Sequence, residues 1–409
     1  MLGANHITTL KWGENVKMIA ILKNNDHPEY GEVSIPLPIK ASEYGHCMEL
    51  LSSLGIGDAL NKDCQVEELT RAYPTLRCLE GCKVNIDELD YLAKRLDGFD
   101  AVEMSQFQAM ADKLKLTDMK DLINLTFSCQ QATVIADFSD LESIGRAYYM
   151  NTHGGCASAE ELDNLDGEET AILLIEDNEG TITRYGVVYD NGMQLSQLYD
   201  GKNLPCYHHE NDCISVGLTS QLEPGDTKNI TWVYLPTSNC QIERAMKRAG
   251  ITAPRDISLR MGDSLFPMEI DVALDFPHED IYELNELAKA VEKLSNADRI
   301  KLGVMVGMAQ PENASQICRL AENLDLFEFA PGAHTPAEYG KFMIQQSGQF
   351  HYDSTLDEFY DYERYGRKHI DSGTGMFTDR GYIAYIGTES LEELMGEGQK
   401  QVQGVMEMQ

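Results

Sequence analysis

Basic residues are scarce in this chain of 409 residues: 33 Lys and Arg stand against 67 Asp and Glu, a formal net charge of −34. That balance excludes a nucleic-acid binder with a general basic face and makes an anionic membrane surface a poor partner. Long apolar runs are also missing; stretches such as Ala171 to Ile175 are far too short to span a bilayer. Met1 to Lys23 lacks a basic start followed by an apolar segment, so no secretory signal is expected. The ten cysteines have no framework spacing, and reduced thiols in a cytoplasm are the simpler expectation. No nucleophile elbow, HExxH or P-loop occurs, and Gly55-Ile-Gly57 lacks the third glycine of a dinucleotide loop. No cofactor and no catalytic residues are expected.

Hydrophobic residues make up 43% of the chain, enough to bury a core, and the length suits two or three domains. The acidity is spread along the chain. Residues 81–166 carry 16 acids and 7 bases, residues 167–230 carry 11 and 3, and residues 351–409 carry 12 and 5. These segments also show apolar periodicity, which places the acids on folded surfaces. Self-repulsion at such a charge costs stability, so the excess calls for a functional reason.

An internal repeat supplies the organisation. Ile86-Asp-Glu-Leu-Asp-Tyr-Leu-Ala-Lys94 returns as Ile281-Tyr-Glu-Leu-Asn-Glu-Leu-Ala-Lys289, an offset of 195. The offset holds through Met110 and Met305, Gly145 and Gly340, Gly186 and Gly381, to Gly192 and Gly387. Upstream, Val33-Ser-Ile-Pro-Leu-Pro38 resembles Thr231-Trp-Val-Tyr-Leu-Pro236 at offset 198. The period is too long for a solenoid and reads as two diverged copies of one unit. The expected domains are 15–212, 213–388 and an acidic C-terminal tail, 389–409.

Each unit reads as α+β in three parts. Strands flank a helix near 42–54 or 239–249, stopped by Gly55 or Gly250. A helical part follows, with Ile86, Leu89, Leu92, Ala93 and Leu96 on one face, then stripes of Met104, Phe107, Met110 and Leu114, and of Leu122, Ile123 and Leu125. Asn85 with Glu88, Asp280 with Glu283, Ser139 with Glu142 and Thr335 with Glu338 have the spacing of capping boxes. Strands at 181–189 and 377–385 close the units. An elongated series of small α/β, helical and α+β subdomains is expected.

Four stretches resemble ArdA-type antirestriction proteins: Met18-Ile-Ala-Ile-Leu with Tyr30 to Pro38, Ile86 to Leu96, Met119 to Thr126, and Asp140 to Tyr149. Tyr362 to His369 and Gly375 to Tyr382 are similar to stretches in longer, tandem-duplicated relatives from mobile elements of Firmicutes. The resemblance implies a DNA mimic, carried by conjugative elements or phages, that acts in the bacterial cytoplasm. It implies a protein partner with a basic DNA-binding groove, a type I restriction-modification complex first of all, and no direct contact with nucleic acid or membrane. Family members are one unit long and dimeric, so two units imply a monomer with an internal pseudo-dimer, or a homodimer.

Mimicry needs carboxylates in a phosphate-like array on a rigid scaffold, since proteins grip duplex DNA largely through Lys and Arg on its phosphates. Residues three or four apart share a helix face, so helices suit the task. The candidate acidic surface is Asp87, Asp90, Asp97, Asp100, Glu103, Asp118, Asp121, Asp137, Asp140, Glu286, Glu292, Glu322, Asp325, Glu328, Asp357, Glu358 and Asp361. Acids at helix starts also favour the dipole without any partner, and Glu88, Glu142, Glu283 and Glu338 can be simple caps. Two rival readings stand beside mimicry. One is a metal-dependent enzyme using Cys206, His208, His209 and Cys213, although no second ligand pair lies nearby. The other is an acidic adaptor for some other basic protein.

Overall fold

The computed structural model describes residues 18–207, 212–221, 230–348, 351–370 and 374–396. The protein is α+β, with short helices and small antiparallel sheets. It divides into two compact units whose segments interleave along the chain. The first comprises Met1–His209, Thr227–Trp232 and Ser238–Ile251; the second comprises Glu210–Asp226, Val233–Thr237 and Thr252–Gln409.

The first unit opens with β1 (Met18–Lys23), β2 (Glu32–Leu37), α1 (Ala41–Ser53), β3 (Cys64–Thr70) and β4 (Lys83–Val84), in a sheet of order β2-β1-β3-β4. Alternation along β1 buries Met18, Ala20 and Leu22, as a half-buried strand requires. Gly55, with φ of +69°, follows the end of α1 at the expected stop. Three helices follow: α2 (Ile86–Asp97), α3 (Ala101–Leu114) and α4 (Met119–Leu125). The α2 stripe Ile86, Leu89, Leu92, Ala93 and Leu96 is buried, as are Met104, Phe107, Met110, Leu122, Ile123 and Leu125. Leu114 departs from the expected stripe and is exposed, because α3 ends there and Lys115 turns left-handed. The unit closes with β5 (Thr133–Ile135), α5 (Leu141–Thr152), α6 (Ala159–Asn164), α7 (Gly167–Asp177), β6 (Thr181–Thr183) and β7 (Gly186–Tyr189). The sheet order is β5-β7-β6, and Ile135, Ile144, Ala171, Leu174 and Tyr189 form the core beneath it.

The rest of the chain runs β8 (Ile214–Ser220), β9 (Thr231–Leu235), α8 (Asn239–Ala249), β10 (Ile257–Ser264), α9 (Met268–Ala273), α10 (Ile281–Glu292), α11 (Asn296–Ala309) and α12 (Ala314–Glu322). Then come β11 (Phe327–Pro331), α13 (Pro336–Gln345), α14 (Tyr362–Ile370), β12 (Met376–Thr378), β13 (Gly381–Tyr385) and α15 (Leu391–Met395). Sheet orders are β10-β8-β9 and β11-β13-β12. Ala330, Tyr339, Met343, Tyr382 and Ala384 pack beneath the latter. The helix at 239–249 falls at the expected residues but packs in the first unit. Within the expected tail 389–409, α15 is helical with Met395 buried, and residues 397–409 lie outside the described ones.

The two runs of elements share one order. Helices α2 and α10 are both 12 residues long and start 195 apart; α3 and α11 are both 14 long, at the same offset. In each run two helices cross very closely, α5 with α7 and α13 with α14. A Cβ on Gly145 would lie 1.8 Å from the Gly167 carbonyl oxygen, and one on Gly340 would lie 2.0 Å from that of Tyr362. Only glycine permits backbones this near.

Candidate functional site

Two candidate carboxylates face inward. The Asn85 side chain caps α2 by accepting from the N–H groups of Asp87 and Glu88. Asp87 in that first turn suits the helix dipole, yet its charge is taken up by two arginines of α8. Arg244 Nε donates to Asp87 Oδ1 at 3.1 Å, its Nη2 to Oδ2 at 2.9 Å, and its Nη1 to the Gly57 carbonyl at 2.6 Å. Arg248 Nη2 reaches Asp87 Oδ2 at 3.3 Å, Asn85 Oδ1 at 2.9 Å and the Ala59 carbonyl at 2.8 Å. The Tyr44 hydroxyl also donates to Asp87. Asp87 and Arg244 side chains are 12% exposed and Arg248 only 5%. Burial opposes the Arg244 charge most strongly of any single cause, but Asp87, by charge and hydrogen bond, together with Tyr44 and Cys240 holds the guanidinium above its ordinary pKa. Asp90 is buried outright; it accepts from Ile39 N–H at 2.6 Å and from Lys94 at 2.9 Å. Burial pushes its carboxyl up, against Lys94 and the Ile39 N–H. Asp87 and Asp90 are therefore interior groups, a correction to the acidic surface. Sequence periodicity places both near a helix start but does not reveal their partners.

Glu88 is no reciprocal cap either: it is buried and accepts from the Tyr199 hydroxyl at 2.7 Å. In the second unit, half-buried Glu328 accepts from Tyr339. Asp357 accepts from Tyr362, from Tyr352 at 2.8 Å and from Gln345 Nε2 at 2.8 Å. The Tyr362 hydrogen bond, with that of Tyr352, holds the Asp357 carboxyl below its usual range.

Other candidates do present their charge to solvent. Asp100 and Glu103 form a reciprocal capping box at the start of α3. Asp118 caps α4, and Asp137 accepts from Ser139 N–H. Asp140, and not Ser139, caps α5, because its carboxylate reaches both N–H and Oγ of Ser143. Asp361 accepts from Arg364 N–H. Asp97, Glu103 and Asp121 are half-buried, while Glu286, Glu292, Glu322, Asp325, Glu358 and Asp361 are exposed. Glu286 pairs with Lys289 at 2.7 Å. Capping uses only part of a carboxylate's acceptor capacity, so a capping acid keeps its outward charge and is also held in place.

The candidate list omits the most one-sided acidic stretch of the chain. Residues 147–183 contain nine acids and no Lys or Arg. They form α6 and α7, where Glu160, Glu161, Asp163, Asp166, Glu168, Glu169, Glu176 and Asp177 are exposed. The absence of any base between Arg146 and Arg184 is the signal that could have found it.

Of the proposed metal ligands, Cys206 is half-buried and Cys213 is buried, with burial pushing the Cys213 thiol up. His208 and His209 lie outside the described residues. Among the described residues no group of three His, Cys, Asp or Glu side chains is arranged to hold a metal, and no helix is long and apolar enough to cross a membrane.

Residues 229–384 match the family model of antirestriction protein (ArdA), a span that runs from β9 into β13. No curated protein matches the chain.

Proposed function

We propose that this ArdA-type antirestriction protein is a non-enzymatic decoy for duplex DNA that occupies the DNA groove of a host defence complex, a type I restriction-modification enzyme first of all. The observation that carries this reading is the set of solvent-facing carboxylates fixed by backbone donors, at helix starts for Asp100, Asp118, Asp140 and Asp361 and in the loop before α5 for Asp137, on a chain of net charge −34. Duplex DNA offers one negative charge per roughly 1.7 Å of axis, so a decoy needs many carboxylates held still more than it needs any one of them. Asp97, Glu103, Asp121, Glu286, Glu292, Glu322, Asp325 and Glu358 extend the set; Asp87 and Asp90 do not belong to it. The shared order of elements supports two diverged copies of one unit, 15–212 and 213–388, so that a single chain supplies two decoy surfaces.

The test is a cluster substitution, Asp97→Asn with Asp100→Asn and Glu103→Gln. Asn ranks with Asp as an N-cap, and Gln serves at the third helical position, so the α3 capping box survives. Three surface charges, Asp100 exposed and Asp97 and Glu103 half-buried, at about 0.2–1 kcal/mol each should weaken inhibition by several-fold to about a hundredfold, with helical content kept. Inhibition should also decline steeply with salt, and a DNA duplex should displace the protein from its target. Salt-independent inhibition, or DNA and protein bound to the target together, would sink this reading.

A further inference from the structure

The two hairpins that close the repeated runs share one turn and differ at their open ends. Thr183 Oγ1 donates to the Gly186 carbonyl at 2.9 Å, and Thr378 Oγ1, 195 residues on, donates to the Gly381 carbonyl at 2.8 Å. At the start of β6 and the end of β7 the first unit holds a groove of about 640 Å³, walled by Lys113 of α3 with Glu179, Thr181, Tyr189, Asp190 and Asn191. At the same offset the second run has Met308, Thr374, Met376, Ala384, Tyr385 and Ile386. Strands β12 and β13 pair with those residues in place, so the scaffold does not require the polar lining. Backbone geometry differs at the same point: Asn191 turns left-handed, with φ of +51°, and Ile386 does not.

The groove is rich in acceptors and poor in free donors. Lys113, the one base among its described lining residues, is taken by Asp190 at 2.6 Å. Asn178 Nδ2 donates to the Leu174 carbonyl at 3.1 Å. Asn191 Nδ2 donates to the Gln131 carbonyl at 2.7 Å and to Thr133 Oγ1 at 2.9 Å. The buried Asn191 oxygen has no donor among the described residues. The Glu179 side chain is exposed and makes no ion pair or hydrogen bond among them. Ile182, 85% exposed, adds an apolar wall.

We infer that this groove binds a guanidinium on an aliphatic stem, the group that an arginine carries. Every nitrogen of that cation donates, in a planar fork that suits several fixed acceptors. Its stem covers Ile182 while its head meets the acceptors. An anion is the poorer occupant, because Asp190 already neutralises Lys113. An ammonium is poorer as well, since its donors share one nitrogen and it is more strongly hydrated. The groove lies at the end of the stretch 147–183, which has nine acids and no Lys or Arg and whose field gathers cations. All of these groups belong to the first unit, and none of them needs the decoy reading.

The experiment is calorimetric titration of the full chain near 0.15 M salt, without any defence complex. The probes are butylguanidinium, butylammonium and an end-blocked Gly-Arg-Gly peptide. Butylguanidinium should saturate at one site per chain, since the second run lacks the lining. Butylammonium, with the same charge and stem, should bind about tenfold more weakly or worse. The double variant Glu179→Thr with Thr181→Met takes the residues that the second hairpin carries at these positions. It should keep its helical content and lose butylguanidinium affinity by about tenfold or more. Glu49→Gln removes one exposed charge from α1 and should bind as wild type does. Saturation by the peptide as well would assign the site to a protein-borne arginine; saturation by butylguanidinium alone would assign it to a free small molecule. Equal binding of butylammonium, or a double variant that binds as wild type does, would overturn the inference. So would a Glu49→Gln loss as large as that of the double variant, which would reduce the site to the general field of the chain, or no saturable binding of either guanidinium.

Discussion

Ile39 and Thr237 each turn a backbone N–H into the interior, and each finds one side chain on a helix well further along the chain: Asp90 Oδ1 of α2 at 2.6 Å and Asn285 Oδ1 of α10 at 2.8 Å. Asn285 also donates to the Thr237 carbonyl, so a neutral amide satisfies the position completely. Asp90 does the same work with a charge that burial disfavours. Its folded pKa is raised above the unfolded value of about 3.9, so the folded state holds the proton longer. The sign follows: this group's contribution falls as pH rises from the unfolded value through the raised folded one, and is level above it. Asp90→Asn should be at least as stable as wild type at pH 7, with the difference shrinking below about pH 4. Asp90→Ala should lose about 1–3 kcal/mol, because the Ile39 N–H is left buried without an acceptor. Urea melts across the pH range check both outcomes, and an Asp90→Asn variant much weaker than wild type at neutral pH would contradict the first. The sequence alone could not have told Asp90 from an exposed acid, because its decisive partner lies 51 residues away.

At the scale of elements, local signals were legible and close approaches were not. The stripes of α2 and α4, the Asp280 and Thr335 caps and the hairpin near 181–189 follow from period and composition, because those features are fixed within a few residues. The α5 cap shifted by one residue, from Ser139 to Asp140, because two adjacent cap formers compete and only geometry decides. The glycines Gly145 and Gly340 were visible as a repeated pair, but their reason is tertiary: each lets a second helix backbone lie against the first. Gly145→Ala should therefore destabilise the first unit by about 1–3 kcal/mol or more, the cost of overpacking against backbone that cannot yield as a side chain does. Exposed Gly154, with open space around it, is the contrasting site only in packing, since its φ of +67° penalises any side chain. Thermal melts of Gly145→Ala and Gly340→Ala should both show the loss; an unchanged midpoint would mean that the crossings relax freely.

For the molecule as a whole, the order of elements was readable because each short segment carries its own pattern, but the packing partner of α8 was not. Its place follows from Arg244 and Arg248 meeting Asp87 and Asn85 across more than 150 residues, and from Ile242, Ala245 and Met246 being buried. A boundary drawn at residue 212 thus cuts away part of the first unit, which takes Ser238–Ile251 from beyond it. A fragment 1–212 should expose the surface that α8 covers and leave the Gly57 and Ala59 carbonyls without their arginine donors. It should unfold at lower urea than a fragment 1–251, with a broader transition. The arginines can be isolated within the longer fragment. Arg248→Ala removes one partner from a buried network and leaves Asp87 and Asn85 in place, which should cost about 3–5 kcal/mol. Arg244→Ala with Arg248→Ala should bring the longer fragment close to the shorter one. Equal urea midpoints for 1–212 and 1–251 would show instead that α8 rests on the first unit without supporting it.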